Sequence, residues 1–526
     1  MQQVKSLIQR GQLNQALIEC QQLCSASRKN VQAWYILTDL YLRNNQASKA
    51  LATVVRAEEL EPKQPQIHLL KIKCLLLTGN TRQALISANA LFDRATRLLA
   101  KDWQNLGLSF HQLNSLAKAH SCFESGVKLE PSNPQYRFNY ATSLRNTGQL
   151  IQAEEEFQRV LALNPRDWDA NLARSLLTKA STEKNHIESL KTLLTSTNSK
   201  EAKSKLLFAI AKEQEDCGDY QASFIHLQQA NELRKQFTQY DVSHDIEAMD
   251  CIRETFPRNA KPLPLDAKEF AKGETVSRPI FIIGLPRTGT TLLERIISQY
   301  PGVLAAGELH DFASCLTLAV SQNSGVKLTN KQDFIRQSAE ANFSQLGKDY
   351  LESTKVLTQG SKWFIDKMPM NFLYTGLIQK ALPEAKIIHL TRAPMAACYA
   401  IYKTSFGQAY PFSYNMENLA NYYIAYRTLM SHWQESSNNN FLEVNYEQLV
   451  TSPEVVSKKV FTFLGFEWQP SCLQLEKNRQ ASATASSSQV RGKIYQSSVD
   501  LWRHYQVQLQ PLYQQLKQAG INPEAW

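Results

Sequence analysis

Over the first 240 residues the apolar positions recur at the three- and four-residue spacing of amphipathic helices, beginning with "MQQVKSLIQRGQLNQALIEC", and the pattern as a whole repeats. Five copies of a unit place Gly or Asn five residues ahead of Ala: "GQLNQA" from Gly11, "NQASKA" from Asn45, "GNTRQA" from Gly79, "NSLAKA" from Asn114 and "GQLIQA" from Gly148. The alanines Ala16, Ala50, Ala84, Ala119 and Ala153 are 34, 34, 35 and 34 residues apart, and Pro62, Pro131 and Pro165 stand twelve residues beyond three of them. Each marker has a physical reason. Gly or Asn tolerates the left-handed turn that ends one helix, Ala lets two helices approach closely, and Pro punctuates the entry to the next unit.

A helix pair of this length cannot bury its apolar face alone and stacks on its neighbours, and the period and punctuation are those of a tetratricopeptide repeat. A degraded copy follows from about residue 168, and "CGDYQASFIHLQQANELRKQ" from Cys217 has the form of a terminal hairpin, so the array is expected to run to about residue 240. Such a solenoid either presents a groove to a polypeptide or serves to dimerise the chain or cover a second domain. The sequence leaves those roles open.

After residue 240 the periodicity breaks. "AKPLPLDAKEFAKGETVSRP", ending at Pro279, carries three prolines ahead of the next apolar run and reads as a linker. The apolar positions then become short continuous runs, "IFIIG", "WFID" from Trp363, "AKIIHL" from Ala385 and "FLEV" from Phe441, with helical stretches such as "TTLLERIISQY" between them. Buried strands alternating with helices imply a parallel sheet covered on both faces. The expected organisation is an all-α repeat solenoid over 1–240, a linker over 241–277 and an α/β domain over 278–526.

Composition narrows the class. With 526 residues, 43% apolar and 20% charged, the chain suits a repeat array plus a globular domain, and no apolar run is long enough to span a bilayer. Its start lacks the apolar core of a signal peptide, which makes a cytoplasmic location the expectation. Nine scattered cysteines without a Cys-x-x-Cys pair read as reduced thiols, with Cys20 and Cys24 packed on one helix face. The net charge of +10 is spread over both halves with no dense basic block, which gives weak support to a nucleic-acid track and fits a local anion pocket equally well; no nucleic-acid partner is expected.

"FIIGLPRTGTT" locates that pocket. A strand, a Gly-containing turn and a helix start aim backbone N–H groups and the positive end of the helix dipole at one point. Gly284 and Gly289 have the G-x-x-x-x-G spacing of a nucleoside-triphosphate loop, but Thr290 and Thr291 stand where that loop has Lys-Ser/Thr. Arg287 is the cation inside the turn. Asp366 is the one Asp closing a strand, and the adjacent Lys367 argues against a magnesium site there. A loop binding fewer negative charges without metal is the simpler inference.

The segment "PRTGTTLLERIISQYPGVLAAGELHDF" resembles the 5′-phosphosulfate loop of sulfotransferases that use 3′-phosphoadenosine 5′-phosphosulfate (PAPS). "DKMPMNF", "IIHLTRAPMAACYAIYK", "NYEQLV" and "SSSQVRGKIYQSSVDLWRHY" continue the resemblance in order over nearly all of 278–520. With the repeats, the chain is similar to bacterial tetratricopeptide-repeat sulfotransferases and more distantly to tyrosylprotein sulfotransferases. The resemblance implies an N-terminal all-α tetratricopeptide-repeat solenoid and a C-terminal α/β P-loop-like sulfotransferase domain with a parallel sheet.

By matching positions, Arg287, Thr288, Gly289, Thr290 and Thr291 surround the 5′-phosphosulfate, Lys367 stands near the bridging oxygen, and Glu308 takes the acceptor proton, with His310 as the second choice of base. Arg392 matches the arginine for the 3′-phosphate, and Tyr446 and Ser486 match nucleotide contacts. PAPS is the implied co-substrate, with no metal. The acceptor carries a hydroxyl, and a protein tyrosine presented by the repeats is the class the array favours. "AYPFSYNMENLANYYIAY" suits either the acceptor pocket or helix packing.

Three positions depart from the family: Ala400 replaces a serine, Leu501 a basic residue, and Ala393 the aspartate of Arg-Asp-Pro. Lys403, Arg491, Lys493 and Arg503 are the candidate substitutes. The departures keep alive a repeat scaffold carrying a weakened domain, while the missing loop lysine counts against a kinase.

Overall fold

The computed structural model describes residues 1–94, 98–257, 277–323, 329–436, 439–478, 480–484, 490 and 492–525. They form two compact units, Met1–Ser143 with Glu352–Gln359, and Leu144–Leu351 with Gly360–Trp526.

In the first unit, helices pair across the Gly and Asn turns as the repeat predicts: Gln2–Gln9 with Leu13–Ala26, Val31–Arg43 with Ala47–Leu60, Pro65–Leu77 with Thr81–Arg94, and Ala100–Gln112 with Leu116–Leu129. The four repeat alanines that fall here are buried, and Gly11, Asn45, Gly79 and Asn114 all adopt positive φ. Pro62 and Pro131 lie in the turns leading into the next helices, which themselves begin at Pro65 and Pro134.

The second unit continues the helical pattern. Ala153 is fully buried and Gly148 has φ +90°, as in the other copies. The hairpin expected from Cys217 is formed by Lys200–Asp216 and Tyr220–Lys235, with Gly218 turning at φ +85°. Asn231 donates to the Tyr402 carbonyl at 3.1 Å and Arg234 to that of Gly407 at 3.1 Å, so this hairpin belongs to the body that holds the sheet. Within 241–277, read as linker, Ser243–Thr255 is helical and 258–276 lie outside the described residues.

The sheet has five parallel strands, β1 (Arg278–Gly284), β2 (Val303–Gly307), β3 (Trp363–Asp366), β4 (Lys386–Thr391) and β5 (Phe441–Asn445), ordered β2-β3-β1-β4-β5. Four of them are the runs read from the sequence. β2 was not anticipated because "VLAAG" is a short, half-buried edge strand with a bulge between Ala305 and Gly307, which lacks the continuous apolar signal. Ile280, Ile282, Leu293, Ile296, Ile388 and Val444 anchor the core on one face. The chain leaves β1 toward β2 and β3 on one side and later adds β4 and β5 on the other, so the loop after β1 sits at the topological switch point where open α/β sheets bind ligands. Among the described residues no helix is long and apolar enough to cross a membrane.

Candidate active site

The turn after β1 is built from residues that tolerate unusual backbone. Gly284 has φ +151°, and a Cβ there would lie 2.6 Å from the carbonyl oxygen of Leu390 on β4. Gly289, the N-cap of helix Thr290–Ile297, has φ +97°, and a Cβ would meet the Tyr446 ring at 2.4 Å. Between them Arg287 is held at φ +68°, a conformation a non-glycine residue adopts only where its surroundings enforce it. Thr288 Oγ1 donates to the Leu285 carbonyl at 2.8 Å, fixing the turn, and Thr290 and Thr291 are buried at the helix start. The first amides of that helix have no partner within it and face the turn, which makes a compact anion cradle.

Arg392, immediately after β4, clamps this cradle. Its guanidinium donates to the Arg287 carbonyl at 2.8 Å and the Ser498 carbonyl at 2.6 Å, and it lies 4.7 Å from the centre of the Tyr446 ring. Tyr446 opens the short helix after β5, and its hydroxyl is 2.8 Å from Ser498 Oγ. Burial lowers the pKa of both Arg287 and Arg392, and the Arg392 charge adds to the effect on Arg287. Both guanidinium groups remain charged. Their concentrated charge faces a cavity of about 620 Å³ lined also by Gly289, Thr291 and Tyr446.

The three departures are placed as well. Ala393 gives its N–H to the buried Glu447 carboxylate at 3.0 Å, a role that needs no aspartate, while Ala400 and Leu501 line the cavity. Lys403 and Lys493 line it too. Arg503 does not: it is bound to Asp500 at 2.8 Å and Glu524 at 3.5 Å. Ser486 and Arg491 lie outside the described residues.

A second group forms where β3 and β2 end. Lys367 is fully buried, its amide donates to the Gly307 carbonyl at 2.8 Å, and its Nζ donates to Glu308 Oε1. Glu308 keeps 37% of its side chain exposed, so the pair has one wet and one dry member. Glu294, on the helix that follows the loop, is a third member that sequence reasoning missed. Burial raises its pKa, Glu308 adds to that, and Lys367 and the Gly307 N–H oppose it. A lone carboxylate in the apolar run "TTLLERII" was the available signal. His310 is exposed.

Asp366 is structural. It is completely buried, accepts from the Tyr350 hydroxyl at 2.9 Å, and burial together with the charge of Asp311 pushes its carboxyl up to about 8. In the aromatic segment, Tyr422, Tyr423 and Tyr426 pack within helix Met416–Ser436. Tyr410 instead stands at φ +53° between Phe406 and Phe412, and its hydroxyl is held above its ordinary pKa by burial and by the charge of Glu308. In the first half Tyr410 thus feels the charge of Glu308, whereas Phe412, stacked on Tyr422 at 3.7 Å, is packing like the second half.

Residues 279–470 match the model of the Sulfotransferase family, and residues 7–74 and 105–167 match two tetratricopeptide repeat models. An uncharacterized protein of Aquifex aeolicus is 29% identical over 383 residues, 72% of this chain and 49% of that protein, so the chain spans about half the length of that relative. Protein-tyrosine sulfotransferase 1 of Danio rerio is 24% identical over 240 residues, 44% of this chain and 67% of that protein. Among solved structures, the sulfotransferase domain from the Synechococcus PCC 7002 olefin synthase covers 44% of this chain and 90% of its own at 20% identity, with a TM-score of 0.32.

Proposed function

Starting from a chain that carries a sulfotransferase-family domain behind tetratricopeptide repeats, we propose that it transfers a sulfuryl group from PAPS to a hydroxyl of a polypeptide, tyrosine foremost. The observation that carries the reading is the Lys367–Glu308 pair, whose charges act on Glu294 of the cradle's own helix, itself bonded to the Gly307 N–H.

The cradle fits the donor on its own terms. Side chains at 284 and 289 would collide with Leu390 and with the Tyr446 ring, so only glycine lets the loop wrap this closely, and Arg392 Nε is buried without a protein partner, a donor left for a ligand. Arg287, Thr288, Gly289, Thr290 and Thr291 would hold the phosphosulfate, with Arg392 and Tyr446 toward the nucleotide; Ser486, also assigned there by resemblance, is outside the described residues. Two arginines and a helix start suffice for this group, which explains how the loop dispenses with a lysine.

In transfer, the acceptor oxygen attacks sulfur, the bond from sulfur to the bridging oxygen breaks, and adenosine 3′,5′-bisphosphate leaves. Lys367 and Glu308 then act in opposite senses. The lysine stabilises charge developing on the bridging oxygen, an effect of the kind that usually dominates catalysis. The glutamate takes the acceptor proton. While paired they neutralise each other. A donor that draws Lys367 to its bridging oxygen breaks this ion pair, so Glu308 loses that counter-charge when the donor is in place. Tyr410, whose hydroxyl feels the Glu308 charge, and Phe406, packed against it at 4.9 Å, would form the acceptor-side wall.

The test has two parts. The full chain should be stabilised against heat by adenosine 3′,5′-bisphosphate, since a ligand at 100 times its Kd adds about 2.7 kcal/mol to the native state, and it should label a polypeptide when incubated with sulfur-labelled PAPS and host lysate. Stabilisation without labelling would favour the scaffold reading. Stronger stabilisation by ATP with magnesium than by the bisphosphate would refute the donor.

A further inference from the structure

We infer that the repeat-type hairpin Lys200–Asp216 and Tyr220–Lys235 completes the donor site, its Lys212 forming with Lys403 a subsite for the donor's second phosphate, on the 3′ side. This deepens the donor reading and rests on it.

One face of helix Pro394–Tyr402 lines the cavity, with Ala396, Ala400 and Lys403 on successive turns. Alanine at the first two positions leaves space and offers no hydroxyl, so the family's serine has no replacement on this helix before Lys403. The helix is on the order of 14 Å long, which separates the backbone of Arg392 at its start from that of Lys403 at its end. Lys403 therefore reaches the cavity from the far end of the helix and would add to Arg392, the 3′-phosphate arginine of the resemblance, rather than replace it. Opposite this face stand Thr178, Lys179, Lys212 and Asp216 of the helical region. Lys and Arg side chains outnumber carboxylates on the described wall six to two.

Both lysines are held in place with donor capacity to spare. Glu215, on the hairpin and 11% exposed, accepts from the hydroxyls of Tyr399 and Tyr505, the latter at 3.0 Å, and from Lys403 Nζ. Burial pushes this carboxyl up, but the charge and hydrogen bond of Lys403 with the two phenols outweigh it, so Glu215 stays ionised below its ordinary range. With the carboxylate tied by two tyrosines, Lys403 retains two of its three N–H donors. Lys212 donates to Asp216 at 2.7 Å and to the Thr178 carbonyl and retains one. A phosphate between them would receive charge-assisted hydrogen bonds from both. A ligand with one anionic group, seated in the loop, would leave these lysines unused, whereas a nucleotide phosphorylated at both the 5′ and 3′ positions engages both ends.

Isothermal titration of the full chain with adenosine 3′,5′-bisphosphate and with adenosine 5′-monophosphate tests this. The unaltered protein should prefer the bisphosphate, and Lys212→Gln and Lys403→Gln should each cut that preference about tenfold or more, as expected for a charged hydrogen bond, with monophosphate affinity unchanged within about twofold. Lys403→Gln removes the cation paired with buried Glu215, so Lys212→Gln, which leaves that pair intact, serves if the other variant does not fold. Undiminished preference in Lys212→Gln, or an equal loss for both nucleotides, overturns the subsite. An unaltered protein that binds both nucleotides without preference overturns it and leaves the loop intact, whereas one that binds neither overturns the donor reading itself.

Discussion

Replacing Lys367 by Met separates the chemistry of the site from its stability. Methionine is of similar length and apolar, so it suits a position with no solvent exposure. At about 4 Å and an effective dielectric of about 20, two unit charges attract by about 4 kcal/mol. Glu308 is 37% exposed and regains water when the lysine is lost, which discounts most of that attraction, and the lysine's own burial cost disappears. A stability loss of about 1–2 kcal/mol remains. In the transition state no such relief exists, because water is excluded where the bridging oxygen gains charge, and loss of one such donor lowers kcat about 10²–10³-fold. The assay is single-turnover transfer from sulfur-labelled PAPS to the labelled acceptor, alongside titration with adenosine 3′,5′-bisphosphate. The expected result is a kcat fall of at least about 100-fold with bisphosphate affinity changed less than about threefold. A kcat within about tenfold of the original, or an affinity falling in step with kcat, would refute the assignment.

Glu308→Gln should likewise collapse turnover while nucleotide affinity stays nearly constant, and parallel losses measured by the same two assays would remove it as the base. Gly289→Ala forces a Cβ to 2.4 Å from the Tyr446 ring at φ +97°, so thermal stability should drop by about 1–3 kcal/mol and nucleotide affinity at least tenfold; combining it with Tyr446→Ala should return part of the loss, since the clash is then gone. Asp366 is protonated in the fold up to about pH 8 but ionises near 3.9 when unfolded, so the folded state binds the extra proton in that window. Native stability from this group is therefore fully present below about pH 4 and is lost as pH rises toward 8, by at most about 1.4 kcal/mol per pH unit. Denaturant midpoints at pH 5 and pH 8 should show this slope in the unaltered chain and a flatter one in Asp366→Asn; equal slopes would mean that Asp366 does not carry the proton.

What could be read in advance followed locality. The repeat markers Gly11, Asn45, Gly79, Asn114 and Gly148 announce left-handed turns because that conformation is a property of the residue and its immediate neighbours, and all five adopt it. β1, β3, β4 and β5 were legible because a strand buried on both faces leaves a continuous apolar run. The anion loop was legible for the same reason, since its glycines, its arginine and the helix start are consecutive. β2 was not, because an edge strand needs no such run.

The sequence by itself thus determined the helical repeats, the sheet class and the cradle. Tertiary structure alone decided the charge partners. Glu308 and Lys367 are 59 residues apart, Arg392 reaches the carbonyl of a residue 105 positions earlier, and Glu215 meets Lys403 across 188. Coulomb and hydrogen-bond energies depend on separation in space and on exclusion of water, and neither quantity is written in spacing along the chain.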